Sequence, residues 1–137
     1  MAKNPDPPSP TDAELALLRV LWDRGPSTVR EVHAHLVQHA DDRAGGPRGY
    51  TTVLKLLQIM TTKRLVRRDE TDRSHVYAAA VPQEQTQRRL VRDLLDKAFG
   101  GSAAQLVVQA LAARRTTPEE LAEVQRLIAQ MKDKPKD

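Results

Sequence analysis

The chain has 137 residues and a formal net charge of +4, with 22 Lys and Arg against 18 Asp and Glu. That length allows one compact domain, or a small domain with a helical appendage, and excludes most large catalytic architectures. One Phe, one Trp and two Tyr are too few for an aromatic-packed β-sandwich or a base-stacking platform, and the absence of Cys removes disulfides, thiolate metal sites, Cys nucleophiles and thiol redox chemistry together.

Four prolines in the first ten residues (Pro5, Pro7, Pro8, Pro10) predict an extended, poorly ordered arm over residues 1–10. This stretch has no apolar core of signal-peptide length, and no later run approaches the ~18 apolar residues of a membrane span. A soluble, cytoplasmic protein is expected. Thr11 and Glu14 form a capping box ahead of Leu15, Leu18, Leu21 and Trp22, which predicts a first helix ending before Gly25-Pro26. Ser27 or Thr28 caps a second helix to about Gln38, with Val29, Val32, Leu36 and Val37 inward.

The polar, Gly-rich segment from Asp41 to Gly49 separates this pair from a third helix, Tyr50 to about Lys63. Val53, Leu56, Leu57 and Met60 are spaced to face a core, leaving Thr51, Thr52, Lys55, Gln58 and Thr62 opposite. Leu54 and Ile59 fall on neither clean face and are either contacts to thymine methyls or extra core. Tyr50 and Trp22 each sit beside an apolar stripe and are expected in the core. Leu65 to Glu70 and His75 to Ala79 read as two short strands around the turn Thr71-Asp72-Arg73-Ser74.

Pro82 suits the first turn of a fourth helix, whose stripe of Leu90, Val91, Leu94, Leu95, Ala98 and Phe99 ends at Gly100-Gly101. A fifth helix, Ser102 to Ala113, carries Leu106, Val107 and Leu111. A sixth is capped by Thr117, with Pro118 in its first turn and Leu121, Val124, Leu127, Ile128 and Met131 inward. The fold class is therefore mainly α with a small β-hairpin. Residues 11–81 form a winged helix-turn-helix domain, residues 82–132 a three-helix region, and residues 133–137 a charged tail.

The charge has a location. From Arg43 to Arg68 there are seven bases (Arg43, Arg48, Lys55, Lys63, Arg64, Arg67, Arg68) and no acid, so the remainder of the chain is net acidic. Three helices and a hairpin, with the third helix inside that stretch, fit double-stranded DNA. A helix enters the major groove by a slim polar face, here Thr51, Thr52 and Lys55. Arg67, Arg68 and Arg73, on and around the hairpin, would meet the phosphate backbone as a wing and supply affinity rather than sequence reading.

Other constellations lead nowhere comparable. His35 and His39 share a helix side with His33 nearby, yet no third metal ligand stands on that turn, so they are read as solvated. Asp69, Glu70 and Asp72 sit at a hairpin tip without a pocket, and Ser74-His75, adjacent in a strand, would point to opposite faces. No catalytic residue, metal site or cofactor is expected.

The segments Thr11-Asp12-Ala13-Glu14 with Leu18 and Leu21-Trp22, Gly49-Tyr50-Thr51-Thr52-Val53 through Lys63-Arg64-Leu65-Val66-Arg67-Arg68, Arg73-Ser74-His75-Val76-Tyr77, and Phe99-Gly100-Gly101-Ser102 with Leu106-Val107 carry a further reading. Over about Thr11 to Met131 the chain resembles the penicillinase-repressor group of winged-helix regulators, which includes the methicillin-resistance and copper-responsive repressors. The resemblance implies a homodimeric repressor on a palindromic operator. DNA contacts would come from Thr51, Thr52, Lys55, Arg67, Arg68 and Arg73, and dimerisation from Leu90, Leu94, Leu95, Phe99, Leu106, Leu111, Leu121, Val124, Leu127 and Ile128. It also implies release by a membrane metallopeptidase sensor system, with cleavage in the dimerisation helices at Gln109-Ala110, where well-known relatives have Asn-Phe. Thr51 and Leu54 stand where some relatives have Lys and Arg, which leaves the operator sequence open. The copper branch releases DNA through a cysteine cluster that this chain lacks. Two other readings stay open: a winged-helix protein-interaction adaptor that does not read DNA, and a regulator gated by a small molecule, for which few aromatics are available to line a pocket.

Overall fold

The structure is a computed structural model that describes residues 7–39 and 49–133. Its elements run α1 (Asp12–Arg24), β1 (Ser27–Thr28), α2 (Val29–Gln38), α3 (Tyr50–Thr62), β2 (Val66–Asp69), β3 (Val76–Ala79), α4 (Gln83–Ala98), α5 (Ala103–Ala113) and α6 (Pro118–Asp133). The chain divides into two compact units between Leu90 and Val91.

The first unit is a winged helix. The expected box closes α1: Thr11 Oγ1 accepts from Glu14 N–H at 3.2 Å while Glu14 Oε1 accepts from Thr11 N–H at 2.9 Å. α1 turns Leu17, Leu18, Val20 and Leu21 inward, a broader stripe than the i, i+3 spacing from Leu15 indicates, and Leu15 itself is only half-buried. Gly25 then stops the helix at φ 87°, ψ −168°, a conformation essentially reserved for glycine.

Ser27 and Thr28 form a strand that the sequence reading does not contain. β1 pairs antiparallel with β3 (Ser27↔Tyr77, Thr28↔Val76), so the sheet has three strands in the order β1-β3-β2. Two residues are too short for a period-2 pattern, and both look like capping residues. Thr28 is the cap of α2, completing a second box with Glu31. Val29 and Val32 are buried and Leu36 packs against the core, whereas Val37, expected inward, is 55% exposed. One residue past Leu36 lies about 100° further round the helix.

α3 buries Val53, Leu57 and Met60 completely, with Leu56 and Leu54 packed against the core edge. Its end is a Schellman-type stop: Leu65 N–H donates to Met60 O at 2.9 Å, Arg64 N–H donates to Thr61 O at 3.1 Å, and Arg64 takes φ 67°. Leu65, Val66 and Tyr77 close the core from the sheet side. Trp22, half-buried as the helix stripe requires, donates its indole N–H to Val81 O at 3.0 Å and ties α1 to the lead into α4. Pro82 precedes α4 rather than entering it, and its carbonyl accepts from the Thr86 hydroxyl and N–H.

The second unit comprises the rest of α4 with α5 and α6. Thr117 caps α6 as expected, through Glu120 N–H, while Ser102, read as the first residue of the fifth helix, instead caps α5 through Gln105 N–H, and Gly100 and Gly101 carry positive φ at the turn between α4 and α5. None of the described residues from 91 onward is buried. Leu94, Leu121, Leu127 and Ile128 are each at least 40% exposed and Met131 is 74% exposed, so the stripes read as inward lie on the surface of the single chain.

Candidate nucleic-acid interface

α3 presents a continuous outward face. Gly49 caps it without a side-chain hydrogen bond, and no acid stands in its first turn, so its leading N–H groups and their partial positive charge are unopposed by a local carboxylate. Thr51, Thr52 and Lys55 are exposed there, continued along the helix by Gln58, Ile59 and Thr62. This stripe is opposite to Val53, Leu57 and Met60. Ile59, left open by its spacing, is on the outer face at 39% exposure, while Leu54 packs inward.

Tyr50 departs from the expectation of a core residue. It is 45% exposed, and its ring meets the His33 ring edge-on at 5.8 Å. As the first residue of α3 it precedes the turn that the apolar stripe buries. Together with Leu54 it lines an open cleft of about 310 Å³, whose other walls include Arg30 of α2 and Arg73, Ser74 and His75 of the hairpin turn. Arg30 and Arg73 lie outside the acid-free stretch of sequence; folding, not chain proximity, brings them to one cleft. Ser74 and His75 line it together because β3 starts at Val76, one residue later than the pattern indicates.

The wing is less uniformly basic than its arginines imply. In the β2–β3 ladder Arg67 pairs with Ala78 and Arg68 with Tyr77, so the two arginines point to opposite sheet faces. Arg68 shares the face of buried Tyr77 and reaches Glu70 Oε1 at 3.2 Å, and His75 Nε2 lies 3.7 Å from the same oxygen. Asp69 is committed to the turn, accepting from the Thr71 N–H and hydroxyl, and these bonds hold its carboxyl below the usual range.

The seven bases of the acid-free stretch also separate in space. Lys63, part-buried, lies against buried Glu14; Arg64 forms the stop after α3; Lys55 and Arg67 are exposed and make no ion pair among the described residues. Arg43 and Arg48 fall outside the described residues. His35 and His39 stack at 4.1 Å, and desolvation followed by the His39 charge lowers the His35 pKa. No group of three or more His, Cys, Asp or Glu placed to hold a metal occurs among the described residues, and no described helix is long and apolar enough to cross a membrane.

Of the residues expected to dimerise, Leu90, the last of the first unit, and Leu95, Phe99, Leu106, Leu111 and Val124 of the second are half-buried, and Leu94, Leu121, Leu127 and Ile128 are exposed. Gln109 and Ala110 are both exposed in the body of α5, where Gln109 borders an apolar cleft of about 360 Å³ with Phe99 and Val108.

Comparison with known proteins adds an independent line. A family model described as penicillinase repressor matches residues 10–130. The transcriptional regulator BlaI of Mycobacterium tuberculosis, in two strains, is 35% identical over 95 residues, which is 69% of this chain. The match spans 64% of the length of those relatives. Among solved structures, the solution structure of the DNA binding domain of the repressor BlaI aligns over 57% of this chain and 88% of that chain, at 20% identity and a TM-score of 0.47. BpsR of Bordetella bronchiseptica, from a study of regulation of its DNA binding by 6-hydroxynicotinic acid, aligns over 91% of this chain and 81% of that chain, at 20% identity and a TM-score of 0.42.

Proposed function

The chain belongs to the penicillinase repressor family, and on that premise we propose that it is a cytoplasmic DNA-binding transcriptional repressor acting as a homodimer on a palindromic operator. The single observation that carries the DNA reading is the outward face of α3: Thr51, Thr52 and Lys55 exposed together at an acid-free helix start. Hydroxyls and an ammonium on a slim helix suit base edges in the major groove, and the helix start favours an adjacent phosphate. Arg67 and Arg73, exposed on the wing, add backbone contacts that position the helix without reading sequence.

Dimerisation is supported by the second unit. A segment this short, with none of its described residues buried and a series of exposed leucines, does not hold three helices by its own burial. A second copy supplies identical apolar stripes and closes the surface by two-fold symmetry. Two recognition helices would then read half-sites about 34 Å apart, or a multiple of that. Release is assigned to this same region, through sensor-linked cleavage at Gln109-Ala110. Because that bond lies within α5, a protease that takes an extended substrate requires the helix to open locally.

Binding of the purified protein to the promoter of its own gene, against random duplex at physiological salt, tests the proposal. Preferential binding by a dimer is expected; equal binding to both duplexes would overturn it.

A further inference from the structure

The wing carries a charge pattern that a phosphate-binding hairpin does not need. Between Arg67 and His75 three arginines are matched by Asp69, Glu70 and Asp72, so with His75 neutral the hairpin has no net charge. The acids are not equivalent. Asp69 is held in the turn by Thr71, whereas Glu70 is the first residue after β2, just past the last ladder pair. The register pairs Arg68 with Tyr77 and Asp69 with Val76, and its continuation sets Glu70 across from His75. Arg68, Glu70 and His75 thus fall on one face of the hairpin, the face that also carries Tyr77. One carboxylate oxygen, Glu70 Oε1, stands 3.2 Å from Arg68 and 3.7 Å from His75. His75 also lines the cleft that opens on Tyr50 at the start of α3, with Arg30 and Arg73 around it.

Resting on the DNA-binding reading, we propose that Glu70 is an internal stand-in for a DNA phosphate. It holds Arg68, with His75 beside the pair, in the free protein and yields Arg68 to the backbone when the duplex reaches the wing. A carboxylate and a phosphate oxygen compete for the same donors. Glu70, Arg68 and His75 are all solvent-accessible, so the exchange needs no unfolding of the hairpin. The consequence is a damped wing. Binding of Arg68 to phosphate first has to break an existing ion pair, which lowers affinity for every duplex alike and leaves discrimination to α3.

The test compares the full chain with Glu70→Gln and with Glu84→Gln, an equal charge change at an exposed acid of α4 that pairs with Arg88. Anisotropy titrations use the promoter duplex and a random duplex over a salt series. Glu70→Gln is expected to tighten both by about three- to tenfold at low salt, a gain that shrinks as salt screens the Arg68–Glu70 pair the wild type has to break, so that the slope of log K against log salt steepens. Glu84→Gln should do neither, and in an Arg68→Gln background most of the Glu70→Gln gain should vanish. Wild-type binding with an unchanged affinity and slope in Glu70→Gln would overturn this inference alone, as would a gain that persists in full without Arg68. Absence of DNA binding by the wild type would overturn the inference together with the reading beneath it.

Discussion

The ammonium of Lys63 lies 2.8 Å from Oε2 of Glu14, joining the end of α3 to the first turn of α1. Glu14 is 1% exposed, and its other oxygen closes the cap of its own helix. Burial pushes its carboxyl up, but the Lys63 hydrogen bond, the Thr11 N–H and the Lys63 charge together outweigh this, leaving the net pKa lowered. α3 is thereby fixed to the scaffold by one of the seven bases of the acid-free stretch. Replacing Glu14 by Gln keeps the shape and removes the charge, and is expected to lower unfolding stability by about 1.5–3 kcal/mol in urea titrations.

The same pair sets an acid limit. A carboxylate whose pKa is depressed on folding contributes stability above the unfolded value, near 4.3, and loses it as pH falls through the folded value. Wild-type stability should therefore decline below about pH 4.5, and the Glu14→Gln chain should decline less over that interval. Parallel pH curves for the two proteins would show that Glu14 contributes no such linkage.

Gly25 is the conformational stop after α1. At φ 87° and ψ −168° any side chain is strained although nothing stands within 4 Å of an added Cβ, so Gly25→Ala isolates the backbone effect. A loss of about 1–3 kcal/mol is expected by thermal or urea unfolding.

Much of this was legible in the sequence because the signals were local and redundant. The Thr11/Glu14 box, the Val53, Leu57 and Met60 spacing and the Gly100-Gly101 stop each appear in the structure where their spacing puts them. What escaped was decided by partners distant in the chain. β1 exists only because β3 offers it an edge; Lys63 turns inward because Glu14, 49 residues earlier, lacks a counter-charge without it. Arg67 and Arg68 look like one basic patch in sequence, and a two-residue period separates them. Arg30 reaches the cleft through the packing of α2, for which a charge run carries no signal.

The exposed leucines of the second unit make the dimer testable. Leu94→Glu and Leu127→Glu, combined, place charges on stripes that are 42% and 45% exposed in the single chain. Sedimentation should show monomers with weakened operator binding, since two half-sites then bind independently. A persistent dimer would place the interface elsewhere.

Backbone contacts have a separate signature. Replacing Arg67 and Arg73 by Gln should flatten the salt dependence of binding by about 0.9 for each lost phosphate contact, on promoter and random DNA alike. An unchanged slope would mean that these side chains do not reach phosphate.

The most direct test of the account is the affinity of the wild-type chain, and of a Thr51→Ala, Thr52→Ala, Lys55→Ala variant, for the promoter of its own gene and for a shuffled duplex of equal length. At physiological salt the wild type should prefer the promoter by about 1,000-fold or more, and the variant, with an unchanged melting temperature, should lose most of that preference. A wild type that binds both duplexes equally, or a folded variant that keeps the full preference, would contradict the assignment of α3 as the reading helix.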